Sequence, residues 1–235
     1  MKVNIWSDIR CPFCYIAKKN FENALEQFSY KEELDIVWKS YELDSDLKTD
    51  ENLQTIEYLA SMKRMSIEEV EQIMKQAKIM GAKVGVEMNI EKAIPANTRN
   101  AHRLIHLAIS KNKEKTNQLV EELFKAHFTD GLNVDDDKTL LSIADKAGLK
   151  IQGVQKVLQS NEYAYEVKQD QAEASNRGIR GVPYFIFHKK IAVSGAQSVE
   201  TFLSALEKSW HYYKEDQKPI KIISTYTCDT NGNCD

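Results

Sequence analysis

The sequence predicts an α/β fold whose strand-forming ends are separated by a long, all-helical middle. Three observations carry this expectation. Residues 1–45 change period twice, from strand to helix and back to strand. Residues 46–177 hold only segments with helical spacing, and apolar strand-like runs return after residue 178, ahead of one more amphipathic segment. The expected organisation is one discontinuous α/β domain (1–45 and 178–212), a helical insertion domain (46–177) and a C-terminal tail (213–235).

Taken in order, Val3 and Ile5 alternate with their neighbours up to Ser7-Asp8, as in a short strand. Pro12 then suits the first turn of a helix carrying Tyr15, Ala17, Phe21, Ala24 and Phe28. "LDIVWKSYEL" (34–43) completes a βαβ unit. In the middle, Ser66 and Glu69 form a capping box ahead of Val70, Ile73, Met74, Ala77 and Met80. "NTRNAHRLIHLAISKN" places Ala101, Leu104, Ile105, Ala108 and Ile109 on one face, and Thr98 is the expected N-cap. "QLVEELFKAHF" is stopped by Gly131, and "DDDKTLLSIADKAGL" begins on aspartates and ends on Gly148. Two further helical segments fill roughly Ile151 to Arg177. "GVPYFIF" and "KIAVSG" read as a hairpin turning at His188-Lys189, and "SVETFLSALEKSWHYY" as a closing helix.

At 235 residues the chain is long enough to bury a substantial core, and 42% hydrophobic with 29% charged residues is ordinary for a globular protein. A net charge of −3 supplies no general attraction for nucleic acid or an anionic membrane, and no such partner is expected. No apolar run approaches transmembrane length, and "MKVNIWSDIR" lacks the apolar core of a secretory signal. The expected compartment is therefore the cytoplasm, where a close cysteine pair is more often catalytic or metal-binding than a structural disulfide.

The chain has four cysteines, one pair at each end. Cys11 and Cys14, in "CPFC", stand where the first strand turns into a helix. The thiolate is the reactive form of cysteine, and unsatisfied N–H groups at a helix N-terminus favour negative charge. The i, i+3 spacing places Cys14 one turn on, within reach of Cys11, so that a mixed disulfide on Cys11 can be resolved by Cys14. Zinc sites use the same spacing, but a C-x-x-C at the corner of a βαβ unit points to redox chemistry. Far along the chain, Val182-Pro183 opens a strand; by itself Pro183 reads as a strand-starting proline.

These stretches together resemble the DsbA-like thioredoxin-fold oxidoreductases, and among them the FrnE-type branch. The matching segments are "WSDIRCPFCYIAKK", "NTRNAHRLIHLA", "LFKAHFTDGLNVDD", "RGVPYFIF" and "SGAQSVETF", in the family's order over roughly residues 1–206. The resemblance implies a thioredoxin-like fold interrupted by the helical insertion, with Cys11 as nucleophile, Cys14 as resolving thiol and Pro183 in cis facing them. The backbone of Val182 is then free to pair with a client chain, and Pro12 and Phe13 are expected to bind the substrate with it. Members commonly carry Trp where Phe13 stands and Gly where Ala17 stands. Pro12-Phe13 offers neither His nor a cation beside Cys11, so a less oxidising protein is expected than the periplasmic oxidants.

The second pair, Cys228 and Cys234, brackets the turn-forming Asn231-Gly232. A disulfide there would stabilise by only about 2–2.5 kcal/mol in the chain-entropy model. A second redox pair relaying disulfides to Cys11-Cys14 is the preferred reading; a staple and a four-thiolate zinc site built from both pairs stay open, and calcium is poorly matched. His102 and His106, at i, i+4, read as hydrogen-bonded rather than metal-ligating, and Asn97, Thr98 and Arg103 as cleft-lining or capping residues. Lys18-Lys19 read as a solvated face, Trp6 as core, and the methionines mainly as core.

Three functions compete. A protein thiol–disulfide oxidoreductase or isomerase would act on cysteine-containing clients or on glutathione as redox co-substrate, with a recycling thiol reductant or oxidant and no resident cofactor or metal. A glutathione-linked transferase of the kappa type, or a 2-hydroxychromene-2-carboxylate isomerase-like enzyme, usually has Ser at the position of Cys11 and no need of Cys14. A zinc-binding module would hold metal without exchange activity. The paired thiols favour the first.

Overall fold

The computed structural model describes residues 1–218. Its sheet has four strands in the order β2-β1-β3-β4: β1 (Lys2–Ser7), β2 (Asp35–Ser40), β3 (Tyr184–Phe187) and β4 (Ile191–Ser194). β1 runs parallel to β2, with Ser7 opposite Ser40, and antiparallel to β3, with Trp6 opposite Tyr184. The central β1 is thus buried on both faces, as its run of apolar residues requires; Val3, Ile5 and Trp6 are all at 1% exposure or less.

α1 (Pro12–Gln27) starts at its proline, with Cys11 at the N-cap. It packs beside α9 (Val199–Asp216), where Phe21 meets Phe185, Phe187 and Phe202 at centroid separations of 5.3, 6.0 and 5.7 Å. Such tilted and edge-on contacts between rings add to the stabilisation from buried area. On the other face Trp6 packs against Ala174 and Ile179.

Between β2 and β3 lie α2 (Thr55–Lys63), α3 (Ile67–Lys83), α4 (Arg99–Lys111), α5 (Thr116–Phe128), α6 (Asp137–Lys146), α7 (Ile151–Leu158) and α8 (Ala164–Asn176). The Ser66–Glu69 capping box forms, and Asp136 caps α6 by accepting from the Thr139 amide. Gly131 follows α5 with φ at +67°, and a Cβ there would sit 2.8 Å from Lys92 Cβ, so this turn needs glycine. α5 joins the insertion to the sheet domain: Tyr15 of α1 stacks on Phe124 at 5.0 Å.

Several expectations are corrected. Lys18 is buried at 1% exposure, because its ammonium pairs with Glu22 at 2.7 Å and Glu121 at 2.5 Å. The closing helix, expected over 198–213, continues to Asp216, whose carboxylate holds His188 and Lys190 of the β3–β4 turn, each at 2.8 Å. β2 stops at Ser40 rather than Leu43, since the Leu43 amide bonds the Asp8 carboxylate instead of a neighbouring strand. Thr98 occupies the N-cap of α4 with no capping hydrogen bond, and Asn97 Oδ1 accepts from the Arg99 amide at 2.8 Å.

Phe21→Ala is expected to destabilise the fold by about 3–5 kcal/mol through the cavity it leaves, measured as a lowered denaturant midpoint with an unchanged slope.

Candidate active site at the first cysteine pair

The site is built where β1 ends and α1 begins. The Cys11 amide donates to the Asp8 carbonyl at 3.1 Å, which closes the turn between them. Cys11 and Cys14 are both free thiols and both buried, at 5% and 2% exposure. The Cys11 side chain, rather than capping α1, directs its thiol to the Val182 carbonyl at 3.6 Å. The Val182-Pro183 bond is cis. Residues 171 positions apart in sequence thereby meet at one sulfur atom. Cys14 lies against Cys11 one turn into the helix, and burial, together with the neighbouring Cys11, pushes its thiol well above the ordinary range.

Beneath the turn lies a carboxylate that the expectations above did not single out. Asp8 is fully buried, accepts from the amides of Arg10 at 3.3 Å and Leu43 at 2.8 Å, and lies 3.5 Å from His102 Nε2. Burial opposes its charge, but His102, Arg10 and the Leu43 amide outweigh it and hold the carboxyl at about 2. His127 of α5 is buried nearby, and burial, reinforced by Arg10, lowers its imidazole to about 4.

Beside Pro12 opens a largely apolar cleft, lined among others by Arg10, Tyr58, Met62, Met74 and Phe128. Arg10 donates to the Tyr58 hydroxyl at 3.0 Å, which donates to Asp44 at 2.7 Å. Pro12 therefore borders the cleft, and Val182 is half-buried next to the dithiol, while Phe13 packs against the core. Arg103 does not line it: its guanidinium binds the carbonyls of Val157, Ser160 and Glu162 at the end of α7. Asn97 instead holds the carbonyls of Ser45 and Leu47. His102 and His106 are hydrogen-bond and ion partners, to Asp8 and to Ser40 and Asp170. Asp8 and Arg10 stand inside the quoted "WSDIRCPFC"; a charged residue three positions before a buried thiol was the available signal. Tyr58 and His127 gave none, because only the packing of the insertion brings them in.

Among the described residues no group of three or more His, Cys, Asp or Glu side chains is arranged to hold a metal ion. Cys228 and Cys234, and with them the relay and the four-thiolate site, lie outside the described residues.

A family model for the DSBA-like thioredoxin domain matches residues 2–207. The chain belongs to that family. It is 32% identical to a probable DsbA oxidoreductase from Streptomyces coelicolor, whose crystal structure superposes with a TM-score of 0.83 over 100% of this chain and 98% of that one. YwbO, an uncharacterised protein of Bacillus subtilis, is 26% identical over 208 residues, 87% of this chain and 94% of its own. The cytosolic disulfide reductase DsbM from Pseudomonas aeruginosa shares the fold, with a TM-score of 0.62 at 12% identity, over 92% and 98% of the two chains. A thioredoxin-like fold with a helical insertion and an oxidoreductase role follow from this membership. Among the described residues, no helix of the family member is long and apolar enough to cross a membrane.

Asp8 and His127 both make stability fall in acid, in different windows. His127 has a lowered native value, so the unfolded chain takes up its proton first; its contribution is full above pH 6.5 and is lost as pH falls toward 4. That loss is on the order of 3 kcal/mol. Asp8, lowered from 3.8 to about 2, contributes fully above pH 3.8 and loses its contribution below it. Urea midpoints of a His127→Gln variant are expected to be flat between pH 6.5 and 4 where the parent's decline, and to decline with it below pH 4.

Proposed function

We propose that the protein is a thiol–disulfide oxidoreductase or isomerase of the FrnE-type branch, acting in the cytoplasm on cysteine-containing proteins or on glutathione. The observation that carries this reading is the Cys11 sulfur at the N-cap of α1, 3.6 Å from the Val182 carbonyl, with Cys14 buried behind it. In the reducing direction the Cys11 thiolate attacks a client disulfide, one client sulfur leaves with the electron pair of the broken bond, and a mixed disulfide forms. Cys14, as thiolate, then attacks Cys11 Sγ, the second client sulfur leaves, and the dithiol is now a disulfide to be restored by an external thiol. The reverse sequence oxidises a client dithiol, and the potentials of the partners set the direction.

Pro183 and Val182 offer the client an extended backbone edge beside the reacting sulfur, and Pro12 offers an apolar border. Phe13 supports this border from within the core. A glutathione-linked transferase or isomerase would need no second thiol, and the position of Cys14 favours exchange over that alternative.

Cys228 and Cys234 are proposed as a second redox pair. α9 ends at the β3–β4 turn, at the end of the sheet away from Cys11. Cys228 follows Asp216 by twelve residues, which span up to about 40 Å when extended, whereas the six-residue β1 between the two ends of the sheet is about 20 Å long. The tail is long enough to return.

Cys11→Ser is expected to abolish glutathione-coupled disulfide exchange, and Cys14→Ser to accumulate mixed disulfides visible by mass spectrometry. The Cys228→Ser/Cys234→Ser double variant should keep part of the activity. Titration in glutathione buffers should give a reversible two-electron couple for Cys11–Cys14 between about −120 and −270 mV. Full exchange activity in Cys11→Ser protein would falsify the proposal.

A further inference from the structure

A pocket opens in the insertion between the last turn of α4, the α6–α7 connection and α7. His102, near the start of α4, faces Asp8 beneath the dithiol. The nine residues from His102 to Lys111 set the pocket about 14 Å further along the same helix. Its volume of about 450 Å³ falls in the roughly 300–1,000 Å³ range of small-molecule sites. The floor is apolar, with Leu107 and Leu149 at 6% and 8% exposure.

The rim is cationic. Lys111, Lys150 and Lys156 line it, and the Lys115 side chain runs past Gly148, where a Cβ would lie 3.5 Å from its Cε. The one carboxylate of the lining, Glu162, is taken by Lys156. Lys113 pairs with Asp35 outside the pocket, but among the described residues Lys111 and Lys150 pair with no carboxylate. The chain as a whole has 35 Asp and Glu against 32 Lys and Arg, so this local excess of cations runs against its average. Gly153 supplies a second, independent sign. It stands in the first turn of α7 with its φ outside the left-handed region, and a Cβ there would meet only Leu107, at an ordinary 3.9 Å. Neither backbone nor packing requires glycine at this position, and glycine weakens a helix relative to alanine. What the missing side chain provides is room in the pocket.

We propose that this pocket binds a small organic anion, with an apolar chain or ring on the floor of Leu107, Leu149 and Gly153 and one carboxylate or phosphate held by Lys111 and Lys150. Lysine is a compact point charge on a flexible stem rather than a rigid fork, so the rim selects the sign of the headgroup and not its shape. Neither half of the site is sufficient alone. Exposed ion pairs are weak in water, and apolar contact is non-directional and blind to charge. A ligand that joins the two is the one whose chemistry matches both surfaces. Binding here needs no electron or proton transfer, so the site stands independently of the dithiol reading.

Calorimetric titration of the full chain with decanoate, kept below its micelle concentration, tests the site. Saturable binding of one decanoate per chain is expected. Acetate, a head without a body, and decylammonium, the same body with the opposite charge, should each bind at least about tenfold more weakly. Decyl phosphate in place of decanoate distinguishes the two headgroups. Lys111→Gln/Lys150→Gln is expected to weaken decanoate at least about fivefold, within the range for two exposed ion pairs. Gly153→Leu, which fills the pocket, should weaken it at least about tenfold. The lysine variant changes only exposed side chains, so it decides the matter even where Gly153→Leu folds poorly. Absence of saturable binding overturns the proposal, and so does decylammonium binding as well as decanoate. An affinity unchanged in the lysine variant also overturns it, since decanoate would then sit elsewhere, as in the apolar cleft beside Pro12.

Discussion

The turn from Ser7 to Cys11 depends on one buried carboxylate. Asp8 has no solvent access, yet it is ionised because three elements converge on it: the Arg10 amide of its own turn, the Leu43 amide after β2, and His102 of α4. Charge taken out of water is tolerable only with such compensation. The arrangement therefore works in both directions. The ligands keep Asp8 charged, and Asp8 keeps the end of β1, the chain leaving β2 and the insertion in register around the dithiol. Its backbone carbonyl, which receives the Cys11 amide, is placed by the same contacts.

A second set of charges holds the helix that begins at the dithiol. Lys18, one turn past Cys14, is buried between Glu22 and Glu121, and the Tyr15 hydroxyl donates to Glu121 at 2.9 Å while its ring stacks on Phe124. Burial and the Glu121 carboxylate raise the Tyr15 hydroxyl, so it remains a donor at any ordinary pH. α1 is thus fastened to α5 by an ionic contact and an aromatic one on the same face. Breaking such a pair from one side leaves a charge with no partner, which is why it fixes geometry more than it adds stability. The insertion, at this point, is a brace for the helix that carries the two cysteines as well as a wall of the cleft.

The parts legible in the sequence are those set by local rules. A strand ending at Ser7, a helix opening on Pro12, the capping box at Ser66 and the hairpin at His188-Lys189 follow from period, caps and turns, and all are present. The convergence of Val182 on Cys11 was readable only through the resemblance, since no spacing rule links positions 171 apart. What could not be read depends on long-range partners. Lys18 looks solvated until Glu121 arrives from α5, and Thr98 looks like a cap until Asn97 takes the first turn of α4. Arg103 looks like a cleft residue until the end of α7 presents three carbonyls to it. In each case a tertiary contact overrides a local propensity, and the residue type alone does not reveal which polar group will be buried with a partner.

The two thiols, three residues apart, end in unequal surroundings, and in the proposed exchange this inequality would order the chemistry. Cys11 stands at the helix N-cap, where backbone N–H groups point outward, and beside a carbonyl on a different segment. Cys14 is deeper, and burial with the Cys11 sulfur beside it keeps its proton on. In the proposed exchange a client would meet the Cys11 sulfur first, and Cys14 would become a nucleophile only after Cys11 has formed a disulfide. Bonding at Cys11 would remove a neighbour that opposes ionisation of Cys14, so in the proposed exchange the mixed disulfide itself would prepare the thiol that resolves it. Desolvation remains after that relief, since Cys14 is buried at 2% exposure.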